Sequence, residues 1–287
     1  MSDCSTCPSA SGCTSKNDQG CSSGAQPNPQ QKLRQRMAGI KNKIVVMSGK
    51  GGVGKSTVSA NLAAALSKNA KVGLLDVDFH GPSIPRMFDL GEHQVMGRSE
   101  DILPAQVTEN LSIMSLGLFL DNASMPVIWR GARKQGAINQ FLSDVEWGEL
   151  DYLIVDCPPG TGDEPLGVIQ TIGDATGSVI VTTPQEVALE DVRRSVSFCH
   201  EVNLPILGIV ENMSGFACPC CDEVTHIFSK GGGEKLRDEM GVKLLGEIPI
   251  DPTVVQICDS GSVVAFQESG ESAVAKAFDT IVANLNI

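Results

Sequence analysis

The chain has 287 residues, of which 22 are basic and 34 acidic, so its formal net charge is −12. This acidic balance disfavours binding to nucleic acid or to an anionic membrane through charge alone, and a single Tyr with two Trp disfavours recognition of single strands by stacking. The first residues lack the basic and apolar regions of a secretory signal, and no apolar run reaches the roughly 18 residues of a membrane-spanning helix. Since hydrophobic residues make up 41% of the chain, we expect a folded protein. Since no secretory signal or membrane span is found, we expect it to be cytoplasmic.

Ten cysteines are the unusual feature of the composition. In a chain without a secretory signal they indicate metal ligands or redox groups rather than disulfides. Four of them follow the spacing C-x2-C-x5-C-x7-C in a polar segment: Cys4, Cys7, Cys13 and Cys21. Because such a segment cannot bury a core, we expect residues 1–31 to form a flexible tail whose thiolates bind an Fe–S cluster or a structural zinc. A disordered tail with incidental cysteines is the alternative.

From residue 32 onward, strands and helices alternate. Short apolar runs predict buried strands at Ile44–Ser48, Val72–Val77, Leu111–Ser115, Tyr152–Asp156, Ser178–Thr183, Ile206–Glu211 and Lys243–Ile248. Helices are predicted to start within Lys32–Lys43 and to cover Ser56–Ser67, Glu186–Asn203 and Ser272–Leu285. Residues 88–110 are polar and irregular, which predicts loops. The alternation predicts one α/β domain over 32–287, a doubly wound, mostly parallel sheet with helices on both faces.

The segment Gly49–Ser56 matches G-x-x-x-x-G-K-[ST] between the first strand and the next helix, the context that a phosphate-binding loop requires. Lys55 is expected to reach the β- and γ-phosphates, Ser56 to ligate Mg²⁺, and Thr57 to support the α-phosphate. The other loop residues bring the backbone amides close to the phosphates: Gly49, Gly51, Gly52, Val53 and Gly54. The sequence therefore predicts a nucleotide site of the P-loop type.

Acidic residues follow two of the predicted strands. The carboxyl ends of parallel strands lie beside the phosphate loop, where Mg²⁺ and water need carboxylates. Asp156 is the candidate that holds Mg²⁺ through water, and Asp78 is the candidate that orients the attacking water. Gly160 is expected to offer its N–H to the γ-phosphate. For Asp76, capping of its own loop is at least as good an interpretation as catalysis.

Lys50 is a further feature of the loop, because an ordinary P-loop needs no lysine there. With it, the sequence resembles the deviant Walker A ATPases, K-G-G-x-G-K-[ST], a superfamily that includes MinD, ParA and the nitrogenase iron protein. The resemblance implies that Lys50 reaches the nucleotide of a second subunit in an ATP-dependent homodimer. A solvated loop lysine is the alternative.

Further sequence blocks narrow the resemblance. They are Asp76–Pro85, Val127–Gly131, Trp147–Tyr152, Asp156–Glu164, Glu211–Cys221, Gly231–Gly233 and Gly246–Pro249. From about Ile44 to its end, the chain is similar to the Mrp/ApbC group of P-loop ATPases, which take part in Fe–S cluster assembly and transfer. The resemblance implies a slow ATPase that carries a 4Fe–4S cluster from Fe–S assembly proteins to apo-proteins. The acidic net charge and the lack of a basic helix face near the C-terminus, rather than the resemblance, are the reasons to expect no nucleic-acid or membrane partner.

The same resemblance assigns the cluster ligands. A C-x2-C pair after Asn-Met-Ser supplies two ligands per subunit to a cluster shared across the dimer, and the spacing selects Cys218 and Cys221. Cys220 occupies a position that the family does not require, and a zinc site or a reducible pair is the alternative. Asn212 matches the asparagine that reads the adenine base, with a strand-end cap as the alternative, and Met213 is expected to pack.

The tail resembles the second, ferredoxin-like cluster motif of cytosolic eukaryotic relatives, which ends in C-x2-C-x5-C. Cys4, Cys7 and Cys13 match that ending, but the relatives' first ligand lies well upstream, and only three residues precede Cys4. Cys21 is therefore the candidate fourth ligand. Of the isolated cysteines, Cys199 and Cys258 are expected to pack in the core, and Cys157 to pack either in the core or in the switch segment behind Asp156.

Two other functions fit the superfamily. A positioning ATPase like MinD needs a basic amphipathic helix at the C-terminus, and Ser272–Ile287 contains one Lys and no basic face. An electron donor like the nitrogenase iron protein takes its cluster ligands from two separated segments rather than one C-x2-C pair. Both are less favoured than a cluster carrier.

Overall fold

A computed structural model of the chain describes residues 28–79, 81–91, 97–98, 101–119, 129, 131–218, 221 and 223–287. The tail cysteines Cys4, Cys7, Cys13 and Cys21 lie outside the described residues. The cluster or zinc site predicted for them stays a prediction. Cys220 also lies outside the described residues.

The secondary structure follows the predicted alternation, except that the first helix begins at Pro29 rather than within Lys32–Lys43. Residues 29–31 therefore belong to a helix and not to the predicted tail, because Asn28 caps the helix and Pro29 starts it. The strands are β1 (Ile40–Ser48), β2 (Val72–Asp76), β3 (Gly97–Arg98), β4 (Asp101–Ile102), β5 (Ala105–Thr108), β6 (Leu111–Ser115), β7 (Leu150–Asp156), β8 (Gly177–Thr182), β9 (Ile206–Ala217), β10 (Val224–Thr225) and β11 (Leu244–Ile250). The helices are α1 (Pro29–Ala38), α2 (Lys55–Ser67), α3 (Ile84–Met87), α4 (Gly131–Ser143), α5 (Asp163–Ile172), α6 (Glu186–Glu201), α7 (Gly232–Met240), α8 (Pro252–Asp259), α9 (Val263–Ser269) and α10 (Ala273–Leu285).

In the described part of the chain, one sheet contains nine strands. Their order is β10-β9-β8-β1-β7-β2-β6-β5, and β11 pairs with β9. The strands are parallel except β5, which runs antiparallel to β6, and β10, which runs antiparallel to β9. Parallel neighbours joined through helices make this a doubly wound α/β fold, which confirms the predicted fold class.

Apolar side chains cover both faces of the sheet. Along β1, Val45 and Met47 join one core cluster, while Ile44 and Val46 join the other. The first cluster includes residues of α1, α4, α5, α6 and α7, and the second includes residues of α2, α3, α9 and α10. Because successive side chains of a strand point to opposite faces, a continuous apolar run fits a strand that is buried on both sides.

The prediction of loops over residues 88–110 is wrong in part, because β3, β4 and β5 lie there. The outer edge of β6 offers unpaired backbone groups, and β5 pairs with it as an antiparallel hairpin joined through Glu109 and Asn110. Such short strands carry little apolar periodicity, so local sequence does not indicate them; pairing with a neighbour creates them.

Candidate functional site

The phosphate loop connects the end of β1 to the start of α2. Gly52 and Gly54 both have a φ of 82°, a left-handed conformation that favours glycine. A Cβ on Gly54 would also lie 2.3 Å from Nδ2 of Asn212, so a larger residue does not fit. No side chain caps the first turn of α2, and its backbone N–H groups are therefore available to an anion.

Four side chains meet at the end of β7. Lys55 Nζ lies 2.7 Å from Asp156 Oδ1, and Ser56 Oγ donates to Asp156 Oδ2 at 2.7 Å. Ser59 Oγ donates to Asp156 Oδ1 at 2.6 Å. An ammonium group and two hydroxyls near the start of α2 therefore contact one buried carboxylate at the end of β7.

Strand register explains this meeting. β7 lies between β1 and β2, and Asp156 is aligned with Val46 on one side and Asp76 on the other. Burial by itself lowers the pKa of Lys55, but the neighbouring Asp156 carboxylate outweighs it, and the net shift is upward. Lys55 therefore remains an ammonium group beside the loop.

Asp76 lies deeper than Asp78. Asp76 accepts a hydrogen bond from Ser115 Oγ at 2.9 Å and from the backbone N–H of Asp78 at 3.0 Å, so its carboxylate caps its own loop, as one interpretation of the sequence expected. Asp78 is half-buried. Burial first, and then the proximity of Asp156, raise the pKa of Asp76 to about 8.

The raised pKa of Asp76 predicts a pH dependence of stability. The folded protein holds this proton more tightly than the unfolded chain, so the stabilisation is present below pH 3.8 and is lost as pH rises through about 8. We expect the free energy of unfolding of the wild type, relative to Asp76→Asn, to fall between pH 5 and pH 8.5. Urea unfolding of both proteins at several pH values measures this difference. A difference that does not change with pH would contradict the prediction.

Two loop groups have partners that the sequence did not predict. The N–H of Gly160, expected at the γ-phosphate, donates to the carbonyl oxygen of Ser48 at 2.8 Å. Ser48 Oγ in turn donates to the carbonyl oxygen of Lys50 at 3.0 Å, and Lys50 itself is half-buried. These bonds join the start of the phosphate loop to the segment after β7.

Asn212 lies at the wall of a cavity of about 300 Å³ next to the loop. Its Nδ2 donates to the carbonyl oxygen of Val53 at 2.9 Å, and its Oδ1 accepts the N–H of Met213 at 3.0 Å. Thr57, Pro249 and other mostly apolar groups complete the walls. A cavity of this size, largely apolar with a few polar groups, fits a planar organic ligand such as a nucleobase.

The cysteine pair lies beyond Asn212 on the same strand. β9 continues to Ala217, turns, and pairs back through β10, and the N–H of Cys218 donates to the carbonyl oxygen of Glu223 at 3.0 Å. Cys218 is half-buried and Cys221 is exposed. Among the described residues, no group of three or more His, Cys, Asp or Glu side chains is arranged to hold a metal ion.

The three isolated cysteines lie inside the fold. Cys157 and Cys199 are fully buried, and burial raises the pKa of both thiols, so neither is a ready nucleophile. Cys258 is half-buried, and burial raises the pKa of its thiol although the Thr57 hydroxyl acts in the opposite direction. Cys157 and Cys199 confirm the expected packing, and Cys258 has a partly exposed position at the edge of the second core cluster.

Comparisons with known proteins place this geometry in a family. Residues 39–286 match the family model described as ParA: NUBPL iron-transfer P-loop NTPase. The chain belongs to this family. It is also 50% identical over 259 residues, 90% of its length and 87% of the relative's, to an iron–sulfur cluster carrier protein of Methanocaldococcus jannaschii. It is 49% identical over 262 residues to a Monosiga brevicollis protein named cytosolic Fe-S cluster assembly factor NUBP2 homolog, covering 89% of this chain and 92% of that one.

Solved structures agree with the family. A nucleotide-binding protein from Archaeoglobus fulgidus, in complex with ADP, matches with a TM-score of 0.74 and 40% identity over 83% of this chain and 93% of that one. MinD from Pyrococcus horikoshii matches with a TM-score of 0.63 at 22% identity, which supports the fold alone. The predicted resemblance is confirmed: the chain belongs to a family of P-loop NTPases whose relatives include proteins named as iron–sulfur cluster carriers. No helix in the described ranges is long and apolar enough to cross a membrane.

Two residues of the site were missed in the sequence. Ser59 follows Ser56 by one helical turn, a spacing that could have indicated a second hydroxyl that donates to Asp156. Ser115 ends β6, and its contact with Asp76 depends on β6 lying beside β2, which the chain order does not reveal.

Proposed function

We propose that the chain binds and slowly hydrolyses Mg–ATP as a homodimer, and that it carries a 4Fe–4S cluster from Fe–S assembly proteins to apo-proteins in the cytoplasm. The observation that carries this proposal is that one strand, β9, bears both Asn212 at the nucleobase cavity and the C-x2-C hairpin at its end. Along the chain, the nucleotide site is therefore only a few residues away from the cysteines. Relatives about half identical are named as carriers or assembly factors.

The residues around the loop fit a magnesium nucleotide. Ser56 Oγ and the Asp156 carboxylate are hard oxygen donors that lie 2.7 Å apart, the donor type that Mg²⁺ prefers. When bound, Mg²⁺ would neutralise phosphate charge. Lys55 supplies a fixed cation at the β- and γ-phosphates, the glycines supply backbone N–H groups, and Asp78 orients the attacking water.

The cluster is the cargo of the proposed reaction. A 4Fe–4S cluster takes four thiolates, and one hairpin supplies Cys218 and Cys221, so two copies of the chain complete the set. The exposure of Cys221 leaves the cargo reachable by an acceptor protein. For the tail we retain the proposal of a second Fe–S cluster on Cys4, Cys7, Cys13 and Cys21.

Cluster transfer tests the function as a whole. Anaerobically reconstituted protein, separated from free iron and sulfide, is mixed with an apo-protein that needs a 4Fe–4S cluster, and the recipient's activity is followed with and without a chelator. We expect activation that the chelator does not prevent and that is lost in Cys218→Ser/Cys221→Ser. Activation that proceeds only through free iron, or equally with the double variant, would overturn the proposal.

Lys50 gives a separate prediction about the dimer. Lys50→Ala is expected to remove the ATP-dependent dimer and to slow hydrolysis about 100-fold or more, because a cation supplied in trans stabilises charge on the transferring phosphoryl group. Light scattering after size exclusion with ATP or ADP, together with phosphate release, measures both effects. Lys41→Ala, which removes an exposed lysine of β1 that pairs with Asp151 of β7, serves as the control. A Lys50→Ala protein that still dimerises with ATP would show that Lys50 is a solvated loop residue.

A further inference from the structure

The cavity bordered by Asn212, called the nucleobase cavity here, is lined by residues from both arms of the hairpin that carries Cys218 and Cys221. Met213 precedes the cysteines on β9, and Phe228 follows them after β10, and both line the cavity that Asn212 borders. Neither side chain has a role in the site described above. The chain therefore links the cysteines to the cavity on both sides, through Met213 before them and Phe228 after them.

Met213 is held in an uncommon conformation. Its φ is 59°, which few residues other than glycine adopt, and its N–H donates to Asn212 Oδ1. The end of its side chain approaches the phosphate loop, since its methyl group lies 3.9 Å from where a Cβ on Gly54 would stand. Strained residues of this kind persist where surrounding contacts determine them, and they cluster at functional sites.

Phe228 is connected to the cysteines through a short ribbon. Phe216 and Ala217 pair with Thr225 and Val224, and His226 Nδ1 lies 2.9 Å from the carbonyl oxygen of Ser214. These bonds join the two arms of the hairpin to each other. The Phe228 side chain is 44% exposed at the edge of the cavity, where a planar ligand would cover its ring.

We propose that Met213 and Phe228 contact the base of the bound nucleotide, and that the base thereby fixes the orientation of the hairpin that carries Cys218 and Cys221. The inference rests on the proposed function, since it places the nucleotide in this cavity. An aromatic ring and a polarisable thioether suit the face of a purine. The phosphates alone, held by the loop, would leave this contact unmade.

Alkylation of the cysteines in the full-length, reduced, iron-free protein tests the inference. Labelled iodoacetamide and site-resolved mass spectrometry give the rate at Cys221 with Mg–ATP, with Mg–tripolyphosphate, which has no base, and without ligand. We expect ATP to slow the reaction several-fold and tripolyphosphate to leave it unchanged. In Phe228→Ala, ATP affinity is expected to fall about tenfold, within the range for base–aromatic stacking, and saturating ATP should no longer slow alkylation.

Two variants control this experiment. Phe228→Tyr keeps an aromatic ring and should restore the effect of ATP, while Ile227→Ala removes a neighbouring side chain that is 54% exposed and does not line the cavity, and should behave as wild type. Equal slowing by tripolyphosphate in the wild type, or full slowing in Phe228→Ala, would overturn the inference. If ATP slows alkylation but no cluster is transferred, the carrier proposal fails and this inference stands. If ATP does not bind at all, both the nucleotide part of the carrier proposal and this inference fail.

Discussion

Replacement of Cys218 and Cys221 with serine is expected to remove about two iron and two sulfide ions per chain from anaerobically reconstituted protein, half of one shared 4Fe–4S cluster. A serine hydroxyl is a much poorer ligand for iron than a thiolate. Because each chain supplies two of the four cluster ligands, a dimer of the variant has no hairpin thiolate left to hold the cluster. Iron and sulfide counting together with Mössbauer spectra measures the loss.

Separate variants show which cysteines hold the iron. Cys258→Ser changes a half-buried thiol that lies beside Thr57 rather than in the hairpin, and its iron content should match the wild type. Serine at Cys4, Cys7, Cys13 and Cys21 together should remove only the iron of the tail, additively with the hairpin variant. Unchanged iron in the hairpin variant, or zinc in its place in the wild type, would contradict the shared cluster.

Replacement of Lys55 with alanine is expected to weaken ATP binding about 100-fold or more, since it removes charge-assisted hydrogen bonds to the phosphates. It also leaves Asp156 fully buried without its cation, which costs about 3–5 kcal/mol of the free energy of unfolding. Calorimetric titration with ATP and urea unfolding measure the two effects. A variant that binds ATP as the wild type does would exclude Lys55 from the phosphate site.

Two further variants separate binding from stability. Lys43 is also a buried lysine, 4% exposed, but it pairs with the exposed Asp174 away from the loop, so Lys43→Ala should keep ATP affinity. Adding Asp156→Asn to Lys55→Ala removes the unpaired buried charge, and should recover much of the stability while ATP affinity stays low. Recovery of both would show that Lys55 acts only through folding.

The parts of the site that lie close together in the chain could be predicted from the sequence. The loop from Gly49 to Ser56 is contiguous, and its glycines and lysine reveal their chemistry locally. The buried strands were predicted because a strand enclosed on both faces carries an uninterrupted apolar run, as residues 44–47 of β1, 72–75 of β2 and 179–181 of β8 do. The strand β5 was missed, because its pairing partner rather than its own composition holds it in place.

The sequence by itself therefore determined the α/β alternation and the phosphate loop, since each depends on local spacing, and together with the family resemblance it singled out Cys218 and Cys221 as candidate ligands. The tertiary structure decided which distant groups meet. Strand order brings Asp156 beside Asp76 and Ser115 beside Asp76, and the fold of the hairpin brings Phe228 to the cavity that Asn212 borders. No local pattern contains this information, because strand order and hairpin position result from burial of both sheet faces by the whole chain rather than from any single segment.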